Sequence, residues 1–285
     1  MKILYLTNGN DVDYQNDCLL IGLRQVLGTN LVDYNKQHHN YISYDAKKTS
    51  SFHGKGMTVC RVLEDLPIDR TDITSKLKNK YFDYIVYGSI WRCSDHLQKI
   101  SEIYPKNKII LVDGEDHNFI NKEFERGVLY FKRELINEHS RLFPISFAIP
   151  DMKINFKTQK LRDFSFITPK DTKTYIYDNE SEYYNDYGQS RFGVTMKKGG
   201  WDCMRHYEIL ANGCIPHFLN IENCPVHTMK NFPKKLCAEI NSKIDILDKS
   251  ELYDMYIEKF KSHLLKNNTT KCLANYFIDK IKNYD

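Results

Sequence analysis

Two short segments of this 285-residue chain hold residue types able to do chemistry together. The first runs Lys197-Lys198-Gly199-Gly200-Trp201-Asp202-Cys203-Met204-Arg205-His206-Tyr207-Glu208. It reads as a basic, glycine-rich loop entering a short helix that stops at Gly213, ahead of a strand. Backbone N–H groups at a helix N-terminus, with cations beside them, suit an anion. Arg205 offers a rigid fork for phosphate oxygens, and Lys197 and Lys198 offer point charges. One turn further on, Glu208 is a carboxylate suited to accepting hydrogen bonds from sugar hydroxyls. Donors for phosphate next to an acceptor for ribose are what a nucleotide-sugar requires. Plainer readings stand beside these. Arg205 and Glu208, three apart, also make a surface ion pair worth about 0.3–0.5 kcal/mol. The two lysines also read as a solvated pair, and Trp201 either stacks on a base or plugs the surface between domains.

The second segment is Asp113-Gly114-Glu115-Asp116-His117, three carboxylates and an imidazole at a strand end. Removing a proton from an acceptor hydroxyl needs such a group within hydrogen-bond reach. Asp116 or His117 is the expected base, with Glu115 in reserve, and Gly114 lets a substrate come close. A helix N-cap followed by an acidic first turn explains Asp113 and Glu115 equally well.

These segments need strands and helices to hold them. Apolar runs at residues 3–6, 31–32, 84–88 and 108–112 read as buried strands, with further strands at 128–131 and 145–148. Residues 17–27 carry helical spacing up to Gly28; 72–81 and 94–104 read as helices capped by Thr71 or Asp72 and by Ser94. This alternation predicts an α/β fold with a parallel sheet covered on both faces. The polar stretch 150–160 reads as a boundary between a domain at 1–150 and another at 151–285. In the second, strands are expected at 164–167, 191–195, 215–219 and 235–240, helices at 180–188 and 204–211, and two amphipathic helices from 249 to the end. Both chemical segments follow strands, and ligands of open α/β sheets bind outside the strands' carboxyl ends. They are therefore expected to face each other across a cleft.

Residues 184–225 resemble the donor-binding domain of GT-B glycosyltransferases, in particular the exostosin-like pattern. The matching residues are Arg191-Phe192-Gly193-Val194, Gly199-Gly200, Arg205-His206-Tyr207-Glu208, Gly213-Cys214-Ile215-Pro216 and Cys224-Pro225. The resemblance implies a GT-B-like architecture of two Rossmann-like domains. The domain at 1–150 would lie on the acceptor side and that at 151–285 would bind the nucleotide-sugar donor. It places Glu208 on ribose or sugar hydroxyls, Arg205 and a nearby Lys on the diphosphate, and Tyr207 and Trp201 on the donor side. Asn8-Gly9-Asn10, after the first strand, and Asp113 fall on its acceptor side. It also implies a nucleotide-sugar co-substrate with no further cofactor and no catalytic metal. The Asp11-Val12-Asp13 spacing is read as solvated loop.

Other features narrow the reading. The 41 basic and 37 acidic residues leave a net charge of +4, too balanced to signal strong nucleic-acid binding. Eight cysteines include no C-x-x-C pair, which argues for free thiols in a reducing compartment and against zinc. No signal peptide or apolar span is visible, so a cytoplasmic protein is expected. No G-x-G-x-x-G occurs, and Gly54-Lys55-Gly56 lacks Walker spacing but suits a wall over the acceptor. Phe131-Lys132-Arg133-Glu134 reads as a second cation for the cleft or as a charged helix start. His38, His39 and His53 are expected to face solvent.

The expected activity is transfer of a sugar from a nucleotide-diphosphate sugar to a hydroxyl acceptor, such as a glycan or lipopolysaccharide. Transfer to hydroxymethylated bases in DNA, with nucleic acid as acceptor, is one alternative. A non-catalytic nucleotide-sugar binding protein is another, and an α/β protein with no ligand at all a third. Inversion and retention both stay open.

Overall fold

The computed structural model describes residues 1–9, 11–156, 159–243 and 250–284. Six strands, β1 (Ile3–Leu6), β2 (Leu31–Tyr34), β3 (Tyr84–Tyr87), β4 (Ile109–Asp113), β5 (Leu129–Lys132) and β6 (Leu142–Pro144), form one parallel sheet in the order β2-β1-β3-β4-β5-β6. The central strands are apolar at successive positions because both faces are covered, as parallel sheets require. Leu4 lies in register with both Val32 and Ile85, so the strand order reverses at β1. At such a reversal the loops leaving neighbouring strands diverge and open a crevice.

Helix α1 (Tyr14–Leu27) covers one face; α2 (Ile73–Lys78) and α3 (Leu97–Ile103) cover the other. Asp13 caps α1, its side chain accepting from the N–H groups of Gln15 and Asn16, and Gly28 ends it at φ 55°. The caps expected for the next two helices are not used. Asp72 and His96 precede them in left-handed conformations without side-chain caps.

A second parallel sheet, in the order β7-β8-β9, comprises β7 (Arg162–Phe164), β8 (Ser190–Met196) and β9 (Ile215–Leu219). Around it lie α4 (Glu180–Gln189), α5 (Met204–Ala211), α6 (Lys234–Asn241) and α7 (Ser250–Asn267). The last helix, α8 (Thr270–Lys282), returns to the first sheet and packs on α1. Gly22 permits that crossing, since a methyl there would sit 1.9 Å from the Thr270 carbonyl oxygen. The ring of Phe277 lies 4.6 Å from that of Phe131 on β5. Helix α8, expected in the unit at 151–285, thus contributes to the core of the first sheet. One continuous apolar cluster runs from β1 and α1 through Met204, Tyr207 and Phe218 to α8.

Two strand expectations fail for clear reasons. Residues 235–240 form helix α6, whose buried Cys237 and Ile240 are three apart, on one helical face. At 145–148 the expected strand lies earlier, at β6, where an edge position tolerates Pro144. All eight cysteines are free thiols, and among the described residues no helix is long and apolar enough to cross a membrane.

Candidate substrate site between the two sheets

A cavity of about 930 Å³ lies outside the carboxyl ends of both sheets. The first sheet supplies Asp13 and Tyr14 after β1, Arg92 after β3, Gly114, Glu115 and Asp116 after β4, and Arg133 after β5. Facing them are Tyr175 and Tyr177, Lys198, Gly199 and Gly200 after β8, and Cys203, Arg205 and Glu208 at the start of α5. A segment around 50–57, the expected wall, closes a further side and brings His53 to the cavity. The two chemical segments of the sequence thus border one space.

On the second wall, α5 begins at Met204 with Cys203 at the N-cap and no side-chain capping bond, and the Arg205 N–H is turned toward the Cys203 sulfur. Arg205 extends from this turn. Among the described residues no carboxylate pairs with it, and its Nε has no hydrogen-bond partner. Its guanidinium lies 5.2 Å from the Tyr175 ring centre, while the Lys198 ammonium lies 5.3 Å from the same ring. Burial pushes the Tyr175 hydroxyl up, but Arg205 and Lys198 outweigh it and hold the group below its ordinary range. Helix terminus, Arg205 and Lys198 together place cationic groups without a direct carboxylate pair, among the described residues, on this wall.

The glycines of this loop also make room for side chains of the first sheet. A methyl on Gly199 would lie 2.2 Å from Asp116 Oδ2, and one on Gly200 would lie 2.6 Å from Glu134 Oε1. Each admits a carboxylate of the first sheet. Glu134 accepts from the N–H of Trp201 (2.9 Å) and of Asp202 (3.0 Å), and Arg133 donates to the Asp202 carbonyl. Arg133 also donates to the Gly114 carbonyl at 2.8 Å and pairs with Asp116. Asp202 is buried, and its carboxylate accepts from the Phe147 N–H (2.8 Å) and the Tyr207 hydroxyl (3.0 Å). Burial pushes that carboxyl up to about 6, against the pull of Arg133.

Glu208 is only 5% exposed. Its two oxygens accept hydroxyls from Thr58 and Tyr183, so the place expected for a sugar hydroxyl is held by Thr58 of this chain. Burial raises its pKa, while those hydroxyls and Arg205 pull it back. Thr58 itself adopts φ 76°, a strained conformation for a β-branched residue.

On the first wall, Asp116 presents a 63% exposed side chain to the cavity, and Glu115 shares Arg92 with Asp13 at 3.5 and 3.4 Å. His117 is not part of the lining. Its ring packs edge-on against Trp91 (5.1 Å), with Phe119 at 5.2 Å, and its Nδ1 is buried without a partner. Asp113, expected on the acceptor side, is fully buried beneath the site. It pairs with Lys132 at 2.7 Å and accepts from Trp91 Nε1 at 2.8 Å and from the Tyr130 hydroxyl. Burial pulls the Lys132 ammonium down, opposed by Asp113.

Other expected positions also lie off the cavity. Lys197 is exposed above the Trp201 ring at 5.3 Å, Trp201 packs against the main core, and Tyr207 is buried. Gly9, at φ 77°, turns the chain after β1 and donates its N–H to Thr7 Oγ1 at 2.9 Å; neither it nor Asn8 lines the cavity. Asn10 lies outside the described residues. His39, expected in solvent, is buried and pairs with Asp17 at 3.0 Å. Among the described residues no group of three His, Cys, Asp or Glu side chains is placed to hold a metal.

Tyr175, Thr58 and Arg92 line or brace the site without a sequence signal, since each lies in irregular chain. Asp13 had one: a residue of N-cap type opening a helix directly after the first strand.

No protein-family model matches this chain, and no curated protein matches it.

Proposed function

We propose that the protein is a glycosyltransferase of GT-B type, taking a nucleotide-diphosphate sugar in this cavity and passing the sugar to a hydroxyl acceptor. The observation that carries the reading is the cationic corner at the α5 N-terminus, Arg205 and Lys198, facing the exposed Asp116 carboxylate across one cavity. In the transfer, Asp116 accepts the proton of the acceptor hydroxyl and the freed oxygen attacks the anomeric carbon. The carbon–oxygen bond to the β-phosphate breaks, and its electron pair leaves with the diphosphate. Arg205, Lys198 and the α5 N–H groups hold the charge that develops there. A single displacement of this kind inverts configuration.

The acceptor wall carries Asp13, Glu115 and Asp116 against Arg92 and Arg133. That balance favours a neutral polyol acceptor and works against a polyanion such as DNA, whose binding rests on released counterions.

The test is a thermal-shift screen of UDP-, GDP- and dTDP-hexoses and their free diphosphates, followed by assays of diphosphate release. A ligand bound only by the folded state at 100 times its Kd stabilises by about 2.7 kcal/mol. Stabilisation by one nucleotide series, with release of its diphosphate in the presence of a polyol, is the expected result. No stabilisation by any of them overturns the reading.

A further inference from the structure

Arg133 and Glu134, consecutive at the end of β5, read the backbone of one residue from both sides. Glu134 Oε1 takes the Asp202 N–H at 3.0 Å, and Arg133 Nη1 donates to the Asp202 carbonyl. Glu134 Oε2 takes the neighbouring Trp201 N–H at 2.9 Å. The same arginine holds the Gly114 carbonyl at 2.8 Å and the Asp116 carboxylate, and it braces Glu134 at 3.1 Å. One dipeptide therefore ties the loop carrying Asp116 to the loop that leads into α5. Both side chains are buried, Arg133 1% and Glu134 5% exposed. Gly200 is needed because Glu134 presses directly on that loop.

A charged pair buried for stability alone has little to gain here, because apolar residues of similar volume do as well or better. Contacts made to backbone fix the position of the loop itself. The Trp201 and Asp202 N–H groups are also consumed by Glu134, so a diphosphate is left with the α5 turn, Arg205 and Lys198.

We infer that Glu134, with Arg133, is a positioning residue that holds the α5 anion corner in register with the Asp116 carboxylate. The inference rests on the proposed transfer reaction. It assigns Glu134 to the rate of transfer and not to the affinity for the donor.

The test uses Glu134→Gln and Glu134→Ala in the full chain. UDP-glucose, GDP-mannose and dTDP-glucose are the donors, and inorganic pyrophosphate is the probe of the anion corner. Displacing reacting groups by an ångström costs about 100-fold in rate. The expected result is a kcat lowered to about that extent, with donor KM and pyrophosphate Kd within about twofold of wild type. The Trp201 and Asp202 amides should exchange about tenfold faster for the loss of about 1.4 kcal/mol of hydrogen bonding, while the amides of α5 keep their protection. An unchanged kcat overturns the inference, as does a lower kcat accompanied by a raised KM and a lower melting temperature. Failure of both variants to fold assigns Glu134 to the fold and also overturns it. If wild type turns over none of the three donors, the functional reading falls and amide exchange decides alone. Selective acceleration at Trp201 and Asp202 then supports the register role, and its absence overturns it.

Discussion

Asp116 and Gly199 are in direct contact across the cavity, so close that a methyl at 199 would stand 2.2 Å from the Asp116 carboxylate. Residues 83 positions apart, each following a strand of a different sheet, thus meet within the site.

The two glycines should respond differently to alanine. At Gly200 the added methyl meets Glu134, whose carboxylate is buried and bonded to two N–H groups, so it has nowhere to go. Gly200→Ala is expected to cost about 1–3 kcal/mol of stability. At Gly199 it meets Asp116 Oδ2, on a 63% exposed side chain that gives way only by loosening its pair with Arg133. Gly199→Ala is expected to cost less stability in urea than Gly200→Ala, while the proposed transfer falls because the carboxylate has moved. Equal loss of stability in both variants would contradict this assignment.

In the proposed transfer, Asp116→Asn removes the proton acceptor and keeps the size of the side chain. General-base catalysis contributes about 10²–10⁴-fold, and kcat for transfer is expected to fall by that much. The affinity for pyrophosphate, bound on the opposite wall, should hold. His117→Asn, by contrast, should leave kcat near wild type, since that ring packs on Trp91 outside the cavity. A strong kcat loss in the His117 variant together with an active Asp116→Asn would reverse the roles.

The legible parts of this fold were those set by local pattern. The parallel strands β1, β3 and β4 are short apolar runs bounded by turn residues, and helix α5 and strand β9 fall at their expected limits. What the pattern could not convey was which partner each polar residue meets. Asp113 and Asp116 are the same residue type three apart; β4 ends at the first, burying it on Lys132, while the second clears the sheet and reaches the cavity. Likewise Glu208 sits where a donor contact was expected, yet Thr58, 150 residues earlier, reaches its carboxylate through a left-handed turn that no periodicity marks. Helix α8 belongs with α1 because Gly22 leaves room for it, a contact visible only once both are placed.

Glu208→Ala now carries a double expectation. It strips a buried carboxylate from the hydroxyls of Thr58 and Tyr183, each then buried without that acceptor, at about 1–3 kcal/mol each. Lower stability is therefore expected alongside any loss of donor affinity. Glu208→Gln keeps an acceptor for one hydroxyl and should lose less. If Glu208→Ala melts like wild type, the Thr58–Glu208 contact does not form in solution.

Lys132 and Asp113 form a fully buried pair under the acceptor wall. Removing one partner strands the other charge, and Lys132→Met is expected to cost about 3–5 kcal/mol. The double variant Lys132→Met, Asp113→Asn removes both charges and should recover much of that loss. A double variant no more stable than the single one would show that the pair is not acting as a unit.

The pH dependence of stability should carry the signature of Asp202. Its carboxyl is pushed up to about 6 by burial, whereas an unfolded aspartate titrates near 3.9. The folded state therefore holds the proton more tightly than the unfolded state does. The stability this supplies is fully present below about pH 4 and is lost as pH rises through about 6. Two pKa units correspond to about 2–3 kcal/mol. Asp202→Asn has no proton to lose and offers an oxygen to the Phe147 N–H. Wild type should thus lose about that much stability relative to Asp202→Asn between pH 4 and 6.5, followed by urea unfolding at each pH. Parallel stability curves for the two proteins across that window would mean that Asp202 ionises normally, and that the join between the second-sheet loop and Phe147 is open to water.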